Sequence, residues 1–263
     1  YKVLEQINNF LQSMGKDINS YALVPHALNF NHMNKNTRDT TAETTITVQE
    51  SDLQAIYQLN CDQKIAFDII IDAVFKIKKG CFFIDGPGGT GKTFLYRALL
   101  AEVRSKGFIA LATASCGVAA SILPGGRTSH SRFNIPLDTT KNTNCRISKQ
   151  SSSAQLLKSA SLIIWDEAPM MNKISIEAVD RLLQDLMDCN DLFGSKVIVF
   201  GGDFRQVLPV VTKGTKVDFI DASIVNSYIW PQLHKLHLTE NMRARHDPEF
   251  IELGIFECMA ALI

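Results

Sequence analysis

Gly86-Pro87-Gly88-Gly89-Thr90-Gly91-Lys92-Thr93 is the stretch that decides the fold of this chain. It follows the apolar run Cys81–Ile84 and opens a stretch whose apolar residues recur with helical spacing, so it joins a predicted strand to a predicted helix. Glycines here let successive backbone N–H groups turn inward, and the helix adds the positive end of its dipole. The pattern GxxxxGK[ST] in this context predicts a phosphate-binding loop (P-loop) rather than an incidental Gly-rich turn.

Each residue type in the P-loop has an expected role. We expect Lys92 to reach the β- and γ-phosphates of a nucleotide, and the Thr93 hydroxyl to bind Mg²⁺. The other predicted nucleotide-binding residues of the loop line the phosphates, and they are Gly86, Gly88, Gly89, Thr90 and Gly91.

A pair of acids, Asp166 and Glu167, follows the apolar run Leu162–Trp165. Ligands of doubly wound sheets bind at the carboxyl ends of strands, so these acids should project beside the phosphates. Asp166 suits the Mg²⁺ shell, and Glu167 suits the base that orients or deprotonates an attacking water. Acids after a strand also commonly cap the next helix, so this interpretation depends on the P-loop.

A third apolar run, Val197–Phe200, leads into the segment 201–206, Gly-Gly-Asp-Phe-Arg-Gln. Gln206 at its end is placed to hydrogen-bond a γ-phosphate or its attacking water. The alternative is a polar turn before the Leu208-Pro209 dipeptide.

Composition limits the class of protein. The chain has 263 residues, of which 46% are hydrophobic, and a formal net charge of zero, which excludes a polycationic tail and allows a sizeable core. No apolar run approaches the roughly 20 residues that span a bilayer, so we expect no membrane partner. No charged-then-apolar leader opens the chain, so we do not expect secretion. Six cysteines without paired spacing favour reduced thiols in an intracellular protein.

Strand and helix patterns alternate along most of the chain, which predicts an α/β fold: a parallel sheet with helices on both faces, preceded by a helical and irregular N-terminal segment. The predicted domains are a lead-in over residues 1–51, a main domain over 52–245 and the start of a further helical segment over 246–263. The lead-in comprises a helix at 1–14 and an Asn/Thr-rich linker at 29–47. We predict helices at 62–79, 92–106, 154–160 and 174–189, and a short helix that ends at 123. We predict strands at 81–85, 108–113, 161–165, 196–200 and 235–238.

The guanine-reading pattern Asn-Lys-x-Asp of G proteins is absent from the sequence. Instead the chain carries, in order, Asp62-Gln63, the P-loop, Ile164–Glu167, the segment 202–206 and the segment 238–243, Leu-Thr-Glu-Asn-Met-Arg. This set resembles the first motor domain of the Pif-type DNA helicases of superfamily one, and most closely the forms encoded by Helitron transposons. The similarity extends from about Leu59 to Arg243.

The resemblance implies a RecA-like P-loop NTPase domain that hydrolyses ATP with Mg²⁺ and moves 5′ to 3′ on single-stranded DNA. It implies that Gln63 reads adenine, that Gln206 senses the γ-phosphate, and that Arg243 neutralises charge in the transition state. Lys92, Glu167, Gln206 and Arg243 are the predicted catalytic residues. Without the resemblance, Arg243 would be read as a solvated surface residue and Gln63 as an exposed residue of a first helical turn.

Cations and aromatic rings are concentrated between Arg127 and Lys149, where five Lys or Arg residues accompany one acid. Such a mixture is typical of single-strand grooves, although a solvated loop has the same composition. The resemblance implies that two segments, Thr113–Ser115 before this region and Thr128–Phe133 within it, lie along the DNA. The predicted DNA-binding residues are Thr113, Ser115, Thr128, His130, Arg132 and Phe133.

The chain begins with Tyr1 rather than Met and stops at Ile263, soon after the arginine motif. No motifs of a second RecA-like domain follow, so we expect one motor domain and half of a working helicase. A module that binds nucleotide and DNA without unwinding, and a small-molecule kinase, are the alternative functions. The resemblance alone implies a nuclear location.

Overall fold

The computed structural model describes residues 35–76, 79–137, 143–206, 208–211 and 214–243, and of residues 35–38 it describes only the secondary structure. The helix predicted at 1–14 and the helical segment predicted after Pro248 lie outside the described residues.

Six strands of the described residues form one sheet, and all of their pairings are parallel. They are β1 (Gly80–Asp85), β2 (Ile109–Ala114), β3 (Arg127–Thr128), β4 (Ala160–Asp166), β5 (Val197–Gly202) and β6 (His234–His237). Across the sheet the order is β3-β2-β4-β5-β1-β6. Because the strands are parallel, the P-loop after β1, the acid pair at the end of β4 and the polar segment after β5 meet at one edge.

Helices cover both faces of this sheet. They are α1 (Lys35–Thr44), α2 (Glu50–Gln54), α3 (Cys61–Phe75), α4 (Lys92–Ser105), α5 (Gly117–Ile122), α6 (Ser129–Phe133), α7 (Ser152–Ser159), α8 (Lys173–Met187) and α9 (Lys216–Ala222). Short 3₁₀ turns occur at Ala55–Gln58, Ala168–Met170, Leu192–Ser195, Ile224–Asn226 and Trp230–Gln232.

Alternate residues of the central strands enter two separate cores. Ile164 and Val199 pack under α3 and α4. Trp165 and Phe200, the next residues along, pack under α7 and α8. Burial on both faces accounts for the continuous apolar runs of β4 and β5, and it confirms the predicted α/β architecture with helices on both faces.

Most predicted elements lie within a few residues of the observed ones; the strand predicted at 161–165 is Ala160–Asp166, and the helix predicted at 174–189 is Lys173–Met187. The helix predicted to reach residue 79 ends at Phe75. β3 was not predicted, because a strand of two residues carries no periodic signal. Helix α9 was not predicted either.

The prediction of a linker over 29–47 is wrong for residues 35–44, which form α1. This polar helix is fixed by contacts to distant residues rather than by its own pattern. Asp39 accepts hydrogen bonds from the hydroxyls of Ser152 and Ser153 at 2.8 and 3.0 Å. Glu43 Oε1 accepts one from the Arg132 guanidinium at 2.5 Å. Tertiary packing therefore overrides a weak local propensity.

Glu43 lies between two buried arginines. The Arg104 guanidinium is 3.8 Å from Glu43 Oε2, and the three side chains of Arg104, Glu43 and Arg132 are each at most 7% exposed. Burial lowers the pKa of both guanidinium groups, and the Glu43 carboxylate only partly opposes this shift. Two buried cations thus depend on one carboxylate from α1.

Glu43→Gln should lower the free energy of unfolding by about 3–5 kcal/mol, because it leaves two buried guanidinium groups without a counter-charge. Urea denaturation of the two proteins measures the difference. Asp68→Asn is the matched control, since it removes the carboxylate of the exposed Lys64–Asp68 pair and should cost about 0–1 kcal/mol. Equal midpoints for wild type and Glu43→Gln would contradict the assigned role of Glu43.

Candidate active site

The P-loop has the backbone of an anion cradle. Gly89 and Gly91 have φ values of 91° and 78°, in the left-handed region that favours glycine. The loop is closed by Thr90, whose backbone N–H and hydroxyl both donate to Pro87 O, at 3.3 and 2.9 Å. Gly91 is the N-cap of α4 and has no side chain to accept from its first N–H groups. The start of α4 therefore lacks a side-chain acceptor, which suits the binding of a phosphate there.

Lys92 lies inside this loop, where its ammonium group donates to Gly86 O at 2.5 Å and to Pro87 O at 3.3 Å. Burial lowers its pKa, and the nearby carboxylates of Asp203, Asp166 and Glu167 oppose that shift. The structure therefore brings a cation and three acids together at the carboxyl edge of the sheet.

Asp166 and Glu167 differ in burial and in backbone conformation. Asp166 is 5% exposed, and its Oδ1 accepts from the Glu167 N–H at 2.9 Å. Burial, reinforced by the Glu167 carboxylate, raises the pKa of Asp166 to about 6. Glu167 has a φ of 53°, an uncommon left-handed conformation for a residue with a side chain, and burial raises its pKa as well. Two carboxylates with raised pKa values form a site that a cation stabilises.

Asp203 was not predicted as a site residue, although it lies in the segment 201–206 that contains Gln206. It is 5% exposed, and its Oδ2 accepts from the Gly88 N–H of the P-loop at 3.2 Å and from Gln206 Nε2 at 3.5 Å. Burial raises its pKa, but hydrogen bonds from Arg205 outweigh that effect, so the net shift is downward. Asp203 is therefore an anion held against a P-loop amide, and it places the predicted sensor Gln206 beside the loop.

The segment 238–243 crosses the P-loop. The Leu238 N–H donates to Asp85 O at 2.8 Å, and the Met242 N–H donates to Gly89 O at 2.9 Å. A Cβ at Gly89 would lie 2.5 Å from Asn241 Oδ1, so this crossing also requires glycine. Arg243, at the end of the segment, is exposed.

The start of α3 anchors the same segment. Asp62 accepts two hydrogen bonds from Thr239, at 2.6 and 3.0 Å, and Asn60 Nδ2 lies 3.3 Å from Met242 Sδ. Gln63, the predicted adenine reader, is 1% exposed, and its amide nitrogen donates to Thr90 O at 2.9 Å. Its amide oxygen accepts from the Asn60 N–H at 3.1 Å. Gln63 is thus a brace between α3 and the P-loop.

The predicted magnesium ligands lie on neighbouring elements of this edge. Thr93 is half-buried in the first turn of α4, and Asp166 ends β4. Within the described ranges, no three His, Cys, Asp or Glu residues are grouped to hold a metal on their own. Mg²⁺ does not need such a group, because it is commonly bound by one or two carboxylates together with substrate phosphates. The donor set fits Mg²⁺ that arrives with a nucleotide.

The predicted DNA-binding residues divide into two groups. Ser115, Thr128 and His130 are half-buried at the carboxyl ends of β2 and β3, and burial lowers the pKa of His130. Thr113 is buried, and its hydroxyl donates to Ile164 O at 2.5 Å. Ser115, Thr128 and His130 are therefore the predicted DNA-binding residues whose side chains are partly accessible from solvent.

The side chains of Arg132 and Phe133 are buried, like that of Thr113, so they are not exposed as DNA-binding side chains would be, and their contact with DNA stays a prediction. Arg132 is committed to Glu43, and Phe133 stacks on Trp165 with ring centroids 5.2 Å apart. The positive charge expected nearby is also partly neutralised, because Lys149 pairs with Asp185 and Asp188.

A family model described as PIF1-like helicase matches residues 58–252 of the chain. The chain belongs to the PIF1-like helicase family. The ATP-dependent DNA helicase PIF1 of Candida albicans is 29% identical over 181 residues, which are 65% of this chain and 20% of that protein. The PIF1 of Danio rerio is 30% identical over 146 residues, covering 55% of this chain and 22% of that one. This PIF1-like chain therefore spans about a fifth of the length of these relatives.

Solved structures agree with the family. The crystal structure of Pif1 helicase from Bacteroides in complex with ADP-AlF3 and single-stranded DNA is similar to the PIF1-like chain with a TM-score of 0.63 and 26% identity, covering 74% of this chain and 44% of that one. The crystal structure of Pif1 helicase from Candida albicans gives a TM-score of 0.62 and 26% identity, covering 74% and 42%. These likenesses confirm the RecA-like P-loop fold. The described helices include none long and apolar enough to cross a membrane.

Asp166→Asn should stabilise the protein at neutral pH. The folded pKa of Asp166, about 6, lies above its ordinary value of 3.8, so its unfavourable effect is full above pH 6 and disappears as the pH falls toward 3.8. In EDTA, the variant should exceed wild type by about 1–3 kcal/mol at pH 7.5 and match it near pH 4, as measured by urea denaturation.

Asp203→Asn provides the contrast, because the pKa of Asp203 is lowered and its carboxylate stabilises the fold at neutral pH. That variant should lose stability at pH 7.5. An Asp166→Asn advantage of the same size at both pH values would contradict the assigned burial effect.

Proposed function

We propose that this chain is the first RecA-like motor domain of an ATP-dependent DNA helicase that moves 5′ to 3′ along single-stranded DNA. The observation that carries the proposal is the grouping of Lys92 with Asp166, Glu167 and Asp203 at a P-loop that leads into a helix without a side-chain N-cap acceptor. A P-loop with strand-end acids is the arrangement that phosphoryl transfer from a nucleotide needs.

In this proposal, the chain's own residues bind and position ATP. The P-loop amides and Lys92 hold the phosphates, and Thr93 and Asp166 hold Mg²⁺, which neutralises charge on the phosphate oxygens. Glu167 accepts a proton from the attacking water, and the burial that raises its pKa makes its carboxylate a stronger base. Gln206 orients that water, and Arg243 approaches the γ-phosphate when the motor closes.

Support for DNA as a partner comes from the relatives and from the carboxyl edge of the sheet. The Bacteroides relative is described in complex with single-stranded DNA. In this chain, Ser115, Thr128 and His130 are half-exposed near the carboxyl ends of β2 and β3, and they offer hydroxyls and a ring to a nucleic acid strand. Thr128 is also the N-cap of α6, so its position is fixed by the fold.

We further propose that the nearest kin are Helitron-encoded helicases and that the protein acts in the nucleus. The support for the first point is the sequence phrases around the P-loop, the acid pair and Gln206. The nuclear location follows only from the resemblance to these helicases.

Lys92→Ala should reduce ATP turnover by about 10²-fold or more, because it removes the cation that stabilises the transferring phosphoryl group. Glu167→Gln should reduce turnover by about 10²–10⁴-fold, because it removes the base, yet it should bind ATP as wild type does. Turnover and equilibrium ATP binding are measured on both variants. Wild-type turnover in Lys92→Ala, or loss of ATP binding in Glu167→Gln, contradicts the assignments.

The proposed motor function is tested by ATP hydrolysis with an oligonucleotide single strand, with a duplex of the same sequence, and without DNA. The single strand should give the largest stimulation, and salt should weaken it. His130→Ala should reduce the stimulation, whereas the control Lys149→Ala should not, because Lys149 is paired with Asp185 and Asp188.

Two results of the same assay would replace the proposal. Binding of ATP and DNA without turnover would indicate a module that does not unwind DNA. Stimulation by a small phosphate acceptor alone would indicate a kinase.

A further inference from the structure

Tyr96 is a buried polar residue that the proposed reaction has not used. It lies on α4, one helical turn after Lys92, and is fully buried. Its hydroxyl has no hydrogen-bond partner among the described residues. Burial of a hydroxyl without a partner costs free energy, so a tyrosine here in place of phenylalanine calls for a partner in some state of the protein.

Gly201 shows where the Tyr96 hydroxyl lies. A Cβ built on Gly201 would be 1.6 Å from the Tyr96 oxygen, so that oxygen occupies the space that a side chain at position 201 would fill. Only glycine leaves that space open. The Tyr96 hydroxyl therefore lies against β5, near its carboxyl end.

The strand register places Asp166 next to this position. Trp165 of β4 pairs with Phe200 of β5, so the following residues, Asp166 and Gly201, are neighbours across the two strands. Because Trp165 and Phe200 enter the core under α7 and α8, Asp166 and Gly201 point to the opposite face, where α4 lies. Adjacent strands are roughly 4.8 Å apart, so the hydroxyl lies beside the Asp166 side chain.

Electrostatics agree with this placement. Burial raises the pKa of Tyr96 well above its ordinary value, and the carboxylates of Asp166 and Glu167 raise it further. A tyrosine that stays protonated beside a carboxylate can act only as a hydrogen-bond donor to it. Asp166 already receives one hydrogen bond at Oδ1, from the Glu167 N–H.

We propose that Tyr96 is a positioning residue that donates a hydrogen bond, directly or through one water, to the Asp166 carboxylate when Asp166 binds Mg²⁺. With the Glu167 N–H, this donor fixes the orientation of the carboxylate. Carboxylates that bind metals are commonly held by such donors, whose removal lowers metal affinity or activity by about 10–100-fold. The proposal rests on the proposed nucleotide site, and it assigns Tyr96 no contact with the nucleotide.

Tyr96→Phe removes the hydroxyl and keeps the ring, so the buried volume is nearly unchanged. The experiment titrates Mg²⁺ into the full chain with ADP and measures the half-saturating Mg²⁺ concentration for ADP binding, and then kcat and KM for ATP. The variant should need about 10–100-fold more Mg²⁺. It should bind ADP in EDTA as wild type does, with a lower kcat at limiting Mg²⁺ and an unchanged KM at saturating Mg²⁺.

Tyr228→Phe is the matched control, because the Tyr228 hydroxyl donates to Asp180 Oδ2 at 2.6 Å, away from the P-loop edge. That variant should lower the unfolding midpoint in urea and leave the Mg²⁺ requirement unchanged. Tyr96→Phe should have the opposite profile, with an unfolding midpoint at or above that of wild type, since the hydroxyl it loses has no partner to lose.

An unchanged Mg²⁺ requirement in Tyr96→Phe, with Mg²⁺-dependent ADP binding intact in wild type, overturns the role of Tyr96 and leaves the proposed function standing. Absence of Mg²⁺-dependent ADP binding in wild type overturns the proposed function and this inference with it. A lower unfolding midpoint in Tyr96→Phe without a change in Mg²⁺ requirement assigns the hydroxyl to stability and also overturns the proposal.

Discussion

Lys92 carries a positive charge into a half-buried loop, and its ammonium group is shared between the carbonyl groups of Gly86 and Pro87. Removing such a charge from water is costly unless opposite charges lie nearby. Asp166, Glu167 and Asp203 supply them. They can do so because parallel pairing sends the carboxyl ends of β4 and β5 to the edge where β1 enters the P-loop. The two cores on either side of the sheet hold that edge in register.

Two of the acids that stabilise Lys92, Asp166 and Glu167, are themselves destabilised by their surroundings. Burial raises the pKa of Asp166, and Glu167 adopts a left-handed backbone conformation that costs on the order of 1–3 kcal/mol. A Cβ at Gly202 would lie 2.4 Å from Pro169 Cδ, so the turn after Glu167 is packed tightly against the end of β5. Packing of this kind holds a strained residue in place. The site thus lowers the stability of the fold while it holds the charged groups in fixed positions.

The P-loop and the acid pair were predictable because each is a local pattern with fixed spacing at the end of an apolar run. Burial of Arg132 and Phe133 was not, because it depends on Glu43 and Trp165, which are distant in sequence. A basic residue in a Ser- and Thr-rich stretch carries no local sign of a buried partner. Tyr96 was not predicted for a different reason. An aromatic residue among apolar residues of a helix is normally interpreted as a core residue. Only the structure shows that its hydroxyl lies against Gly201 without a hydrogen-bond partner among the described residues.

Distant contacts also explain why a polar stretch became α1. Its Asn- and Thr-rich sequence gives no periodic signal, and the helix depends on Glu43 and on Asp39, which meets the start of α7. The unit that packs together therefore begins before residue 52, where the sequence pattern of the main domain begins. Long-range ion pairs, rather than local propensity, set that boundary.

Trp165 connects the residues expected to bind DNA with the acid pair. Its ring stacks on Phe133, its indole N–H donates to the Ser115 hydroxyl at 3.1 Å, and the next residue in the chain is Asp166. One peptide bond therefore separates a candidate metal ligand from a buried ring that contacts both Ser115, the residue after β2, and α6. Close-packed interiors transmit displacement rather than absorb it. Trp165, the residue before Asp166, is therefore linked to Ser115 and α6 through one buried ring, with no flexible loop between them.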